Sequence, residues 1–117
     1  MKMLEGGVCA AKGFRANGVH CGIRKNKIKK DLAMIVSDVP ATAAAVYTTN
    51  LVKGAPITVT KNNISDGYAQ AIICNSGNAN TCNANGIEIA EKMCELVEQR
   101  TGIKANDVIC ASTGVIG

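Results

Sequence analysis

Apolar positions in this chain fall mostly into short runs separated by glycine, asparagine and proline, a pattern that reads as strands joined by turns. Phe14 to Ile23 alternates and predicts a first strand. "DLAMIVSDV" (Asp31 to Val39) is apolar on both faces over Leu32 to Val36, as a central strand would be, and Pro40 predicts its end. "AAVYTTN" (Ala44 to Asn50) and "PITVTKN" (Pro56 to Asn62) are β-branched and partly alternating, so both predict strands. A turn at Ser65-Asp66-Gly67 leads into "AQAIICN" (Ala69 to Asn75), a buried strand, and "DVICA" (Asp107 to Ala111) supplies the last one.

One segment changes period. Ile89, Ala90, Met93, Cys94, Leu96 and Val97 recur at helical spacing and form one apolar face. Asn85 is the predicted N-cap and Gly102 the predicted residue just past the end. Glu88 precedes Lys92 by four residues, the favourable orientation for an ion pair along a helix. The expected fold is therefore α+β: part of a layered α/β sandwich of mostly antiparallel strands with one well-signalled helix. Residues 1–117 read as a single, incomplete domain, because the core must be built with one Phe, two Tyr and no Trp. Such a core calls for a partner or for further sequence.

Charge adds a local feature rather than a global one. Of 13 basic residues, Arg24, Lys25, Lys27, Lys29 and Lys30 lie within "RKNKIKK", leaving eight against nine acidic residues elsewhere. No aromatic or base-reading groups accompany this cluster, so it reads as a solvated hairpin tip, with no nucleic-acid partner. Six cysteines are present, but no signal peptide, no Cys-x-x-Cys pair and only one histidine, His20. Cys74 and Cys110 sit inside apolar runs and Cys94 on the helix pattern, where free cysteine acts as a small hydrophobe. The reading is a reducing, cytoplasmic protein with no metal site and no cofactor. Gly67 to Ile87 lacks charge, yet its five asparagines exclude a membrane span.

Two stretches carry candidate chemistry. "NSGNANTCNANG" (Asn75 to Gly86) is by default an irregular strand-to-helix loop, and alternatively a set of amide and main-chain donors aimed at a ligand. "STGVIG" (Ser112 to Gly117) is by default a turn after a strand, and alternatively a Thr hydroxyl beside a Gly N–H, a donor pair suited to a developing oxyanion. His20 sits in "NGVHCGI", where a regular strand would turn Cys21 to the opposite face and so disfavour a Cys-His nucleophile pair. The carboxylates are scattered, and none pairs with another by spacing.

Taken in order, "GGVCAAKGFRANGVHCGI", "DLAMIVSDVPATAAAVYTTN", "AIICNSGNAN" and "VICASTGVIG" resemble the N-terminal part of the ornithine acetyltransferase (glutamate N-acetyltransferase) family of arginine biosynthesis. The resemblance runs over essentially the whole chain. It implies an acyltransferase that moves an acetyl group from N2-acetylornithine to glutamate, some members also taking acetyl from acetyl-CoA. It further implies a precursor that cuts itself between Ala and Thr into α and β chains, which assemble as a heterotetramer. The freed threonine is then the nucleophile, its own α-amine the base, and an acetyl-threonine the covalent intermediate.

Transferred onto this sequence, the resemblance makes Thr113 and Gly114 the oxyanion-stabilising pair, hydroxyl from the first and main-chain N–H from the second. The substrate-binding residues and the cleavage site are expected beyond Gly117. The Ala41-Thr42 pair lies in "SDVPATAA", which is not the family's cleavage position. On this reading the chain is a truncated piece of the α chain, inactive alone. The alternative is a stand-alone, non-catalytic domain that binds a small molecule or a partner through the Asn-rich loop and the basic hairpin.

Overall fold

The computed structural model describes all 117 residues. In chain order the elements are β1 (Phe14–Val19), β2 (Leu32–Thr42), α1 (Ala55–Asn63), β3 (Tyr68–Asn78), α2 (Gly86–Thr101) and β4 (Val108–Val115), with 3-10 turns at Gly7–Ala10 and Ala105–Asp107. One sheet holds all four strands in the order β1-β2-β3-β4. β1 with β2 and β2 with β3 are antiparallel, whereas β4 joins β3 in parallel. A parallel neighbour requires a long crossover, and α2 provides it.

The expected α+β class holds, with a second helix where a strand was predicted. Pro56 to Asn62 lies in α1, although Ile57, Thr58, Val59 and Thr60 favour strands. Pro56 in the first turn explains the outcome: its fixed φ suits a helix start, and the N–H it lacks would have had no helical partner. Packing then overrides propensity, because Val59 and Thr60 are buried. Ala44 to Asn50, also predicted as a strand, forms no regular element, and Val46 within it is 99% exposed. Pro40 does not end β2 either. It lies where the β2–β3 register shifts between Val36 and Ala41, and at such a bulge a missing N–H costs no ladder bond.

α2 matches its signals with two differences. Gly102 closes the helix, its N–H bonding the Glu98 carbonyl. Asn85 stands at the N-terminus but caps only through its carbonyl, which accepts the Ile89 N–H at 3.0 Å. Lys92 pairs with Glu95 at 3.5 Å rather than with Glu88.

Both helices cover the same face of the sheet. Val59 of α1 and Ala90, Cys94 and Val97 of α2 pack on Ala71, Ile73, Val108 and Cys110, with Ile103 closing the cluster. Each fully buried aliphatic side chain contributes about 1.5–3 kcal/mol. Hydrogen bonding to Cys110 and burial push the Cys94 thiol far above its ordinary range, so it stays neutral and packs as a hydrophobe. Only 17 of 117 residues are buried, because neither helix reaches the opposite face. There Ala33, Ile35, Ile72 and Ile109 remain half-buried.

β4 is an edge strand, and α1 finishes its outer edge with side chains. The Thr60 hydroxyl donates to the Cys110 carbonyl at 3.0 Å and accepts the Cys110 N–H at 3.1 Å. One turn on, Asn63 Nδ2 donates to the Val108 carbonyl at 2.9 Å and the Ala105 carbonyl at 3.1 Å. These contacts do the work of a fifth strand at a buried edge. Thr60→Val keeps the shape and strands two buried groups, so it is expected to lower unfolding free energy by about 2–4 kcal/mol. Thr60→Ser is expected to lose less than half of that. Urea unfolding of the two variants checks this, and equal stability of Thr60→Val and wild type would refute it.

Candidate active site

Ser112, Thr113 and Gly114 lie near the end of β4, opposite Asn75, Ser76 and Gly77 of β3. Alternation from the core residues Val108 and Cys110 turns Ser112 toward the helix side and Thr113 toward the uncovered face. The two hydroxyls differ accordingly. Ser112 Oγ donates to Asn75 Oδ1, and Asn75 Nδ2 in turn donates to the Asn78 carbonyl at 3.0 Å. Thr113 is solvent-exposed. It borders a cleft of about 350 Å³ shared with Lys30, Asp31, Ala33, Cys74, Ser76 and Ala111.

Gly114 is held in a conformation other residues avoid, with φ +126°. A Cβ there would lie 2.7 Å from the Gly77 nitrogen and 2.8 Å from the Asn78 nitrogen. The two strands therefore meet glycine to glycine, since Gly77 has φ +120° as well. The predicted donor residues thus sit adjacent on the edge strand, beside a cleft, with a backbone fixed by its neighbour.

Four of the five asparagine side chains in the Asn-rich loop, all but Asn85, bond within it. Asn80 is 3% exposed and in left-handed backbone, with φ 51°. Its N–H bonds Asn78 Oδ1 at 2.7 Å, its side-chain amide donates to the Gly86 carbonyl at 2.8 Å, and its carbonyl accepts the Ala55 N–H at 3.0 Å. Asn83 Nδ2 donates to Asn80 Oδ1 at 3.0 Å. The loop so joins β3, α1 and the start of α2, the structural reading rather than a display of donors. It also steadies β4, because the Ala79 N–H bonds the Val115 carbonyl at 2.8 Å.

Sequence reasoning missed Asp31. It is 2% exposed and lies at the mouth of β2, beside the cleft. Its carboxylate accepts the Arg24 N–H at 2.9 Å and the Cys21 N–H at 2.7 Å, while His20 Nδ1 stands 3.2 Å away. β1 ends at Val19, so His20 and Cys21 belong to the connecting loop, and the opposite-faces expectation for them does not apply. The Arg24 and Cys21 N–H groups hold the Asp31 carboxyl well below the usual range, against the opposing effect of burial. The only advance signal was an aspartate leading an apolar strand, and many exposed turn aspartates look the same.

A carboxyl depressed in the folded state adds stability that is complete above its unfolded value of about 4. That stability drains away as pH falls through the depressed one. The stability gap between wild type and Asp31→Asn is expected to narrow as pH falls below about 4. Urea midpoints measured at stepped pH check this, and a gap that widened in acid would contradict it.

Residues 15–117 match the ArgJ family. The chain belongs to that family. It is 49% identical over 118 residues to the arginine biosynthesis bifunctional protein ArgJ of Bacillus anthracis, covering 99% of this chain and 28% of that protein. The ArgJ of Symbiobacterium thermophilum is 46% identical, with 100% of this chain and 30% of the relative covered. Among solved structures, ArgJ from Bacillus halodurans superposes with a TM-score of 0.87 at 44% identity, over 92% of this chain and 56% of that one. Ornithine acetyltransferase from Mycobacterium tuberculosis, complexed with ornithine, gives 0.81 at 36% identity, over 92% and 59%. The chain thus spans less than a third of the length of these curated ArgJ relatives, in their N-terminal part. No helix is long and apolar enough to cross a membrane.

Proposed function

We propose that this ArgJ-family chain supplies the oxyanion-stabilising half of an acyl-transfer site. The complete protein would move an acetyl group from N2-acetylornithine to glutamate. In this reading a threonine beyond the chain, freed by self-cleavage of a precursor, attacks the acetyl carbonyl carbon. Its hydroxyl proton passes to its own α-amine, and negative charge gathers on the carbonyl oxygen. The Thr113 hydroxyl and the Gly114 N–H donate to that oxygen. Collapse of the tetrahedral species breaks the bond to the ornithine nitrogen, which leaves with the proton. Glutamate then attacks the acetyl-threonine, and the same two donors serve again. The finer expectations belong to the same proposal: acetyl-CoA as a second donor, two α and two β chains, a cytoplasmic setting and no cofactor.

One observation carries the reading: an exposed threonine and a conformationally locked glycine sit next to each other on an edge strand, in a chain of this family. The half-buried second face of the sheet supports it too, since a further layer from the complete protein would cover Ala33, Ile35, Ile72 and Ile109. The stand-alone binding reading loses support because four of the five asparagine side chains, Asn75, Asn78, Asn80 and Asn83, are already bonded within the loop. The complete protein, purified and supplied with N2-acetylornithine and glutamate, is expected to form N-acetylglutamate and ornithine, whereas residues 1–117 alone are expected to form none. Turnover by the isolated chain would overturn the division of the site, and none by the complete protein would overturn the activity.

A further inference from the structure

We propose that Asp31 is a positioning residue for acyl transfer: it folds the basic loop onto Gly77 and thereby holds the backbone against which Gly114 is set. The proposal rests on the oxyanion role of Thr113 and Gly114 given above. The chain of contacts starts at the carboxylate. Asp31 gathers the N–H groups of Cys21 and Arg24, at 2.7 and 2.9 Å, at the very start of a loop carrying five basic residues. Its main chain ties the same point to both flanking strands: its N–H bonds the Val19 carbonyl at 2.9 Å, and its carbonyl accepts the Ser76 N–H at 2.8 Å.

The folded loop then closes on β3. A Cβ on Gly77 would stand 2.8 Å from Ile23 Cγ2 and 3.2 Å from Arg24 Cγ, so these two side chains rest directly on that glycine. On its other side Gly77 abuts Gly114, its register partner. Ile23 and Arg24 therefore buttress one side of Gly77, and Gly114 of β4 abuts the other. Five neighbouring cations with no acidic partner within 4.0 Å would otherwise repel one another and open this loop. The buried carboxylate offsets that tendency with two charge-assisted bonds to the backbone. His20 Nδ1, facing both Asp31 Oδ2 at 3.2 Å and the Lys29 carbonyl at 3.0 Å, links the two ends of the loop. Asn26 Oδ1 tightens its tip by accepting the Ile28 N–H at 2.9 Å and the Lys29 N–H at 3.2 Å.

Asp31 makes no contact with the acyl group in this scheme, so its effect falls on kcat. The test compares Asp31→Asn, Ile23→Ala and Thr113→Ala in the complete protein, each assayed for transfer from N2-acetylornithine to glutamate. Asparagine can accept only one of the two N–H groups and presents its NH2 to the other. Asp31→Asn is expected to lower kcat at least tenfold with both KM values within twofold of wild type, and Ile23→Ala is expected to lower kcat about fivefold with the same KM pattern. Wild-type kcat in Asp31→Asn, or a loss confined to KM, overturns the positioning role provided Thr113→Ala is impaired. If Asp31→Asn does not fold, Ile23→Ala decides alone: a selective fall in kcat supports the proposal and a wild-type kcat overturns it. Full turnover by Thr113→Ala would instead remove the oxyanion reading on which the proposal stands.

Discussion

Gly114→Ala is expected to be the most damaging single-methyl change in this chain. The added carbon would lie 2.7 Å from one backbone nitrogen of β3 and 2.8 Å from the next, and neither can swing aside as a side chain does. At φ +126° the alanine would be strained even in open space. Relief requires β4 to move off β3 where the Val115 carbonyl and the Ala79 N–H meet, loosening the end of the strand. Destabilisation of about 4 kcal/mol or more follows, together with loss of acetyl transfer. Gly77→Ala shares the backbone strain, but its closest clash is with the Cγ2 methyl of Ile23, a side-chain atom of an exposed loop residue rather than strand main chain. It is expected to cost about 1–3 kcal/mol. Thermal and urea unfolding of the two variants in the complete protein gives the comparison. Equal stability of the two would contradict the glycine-to-glycine crossing.

Thr113→Ala is expected to have the largest effect on rate for the least effect on structure. The residue is exposed, and alanine is tolerated near the open end of an edge strand, so folding should be nearly unchanged. Loss of one oxyanion donor raises the barrier by about 2.7–4 kcal/mol in characterised enzymes, or about 10²–10³ in kcat. Thr113→Ser restores a hydroxyl and is expected to recover most of that rate. Ser112→Ala offers the contrast. Its hydroxyl is committed to Asn75, so it is expected to lose some stability and little activity. Steady-state kinetics on all three variants settles which hydroxyl serves the reaction.

The legible parts of the fold were those where pattern and packing agree. Leu32 to Val36 and Ala69 to Asn75 are apolar enough to read as central strands, and they pair with each other in β2 and β3. The periodic face of α2 was likewise visible, with Ala90, Cys94 and Val97 all buried. α1 was hidden because four consecutive residues, Ile57 to Thr60, favour strands locally. What makes them helical is tertiary: the Thr60 hydroxyl and the Asn63 amide are needed at the edge of β4, three residues apart on one helical face. The direction of β4 was equally out of reach, since antiparallel and parallel neighbours look alike in a four-residue apolar run, Val108 to Ala111.

The site divides the same way. Residue type and resemblance make Thr113 and Gly114 candidates, but do not show why Gly114 is locked, which lies in Gly77, 37 positions earlier in the chain. Asp31 was invisible because burial of a carboxylate depends on main-chain donors that only the folded loop brings together. The Asn-rich stretch drew attention by composition, and Asn80 within it fastens the end of β3 to α1 through its carbonyl and to α2 through its side-chain amide.

The most direct test of the account isolates the first half-reaction. Complete protein is mixed with N2-acetylornithine in the absence of glutamate, and the growth of acetylated enzyme is followed by intact mass under single-turnover conditions. Thr113→Ala is predicted to bind acetylornithine as wild type does and to acquire the acetyl group about 10²–10³ times more slowly. Acetylation at the wild-type rate would contradict a role for this threonine in stabilising the oxyanion.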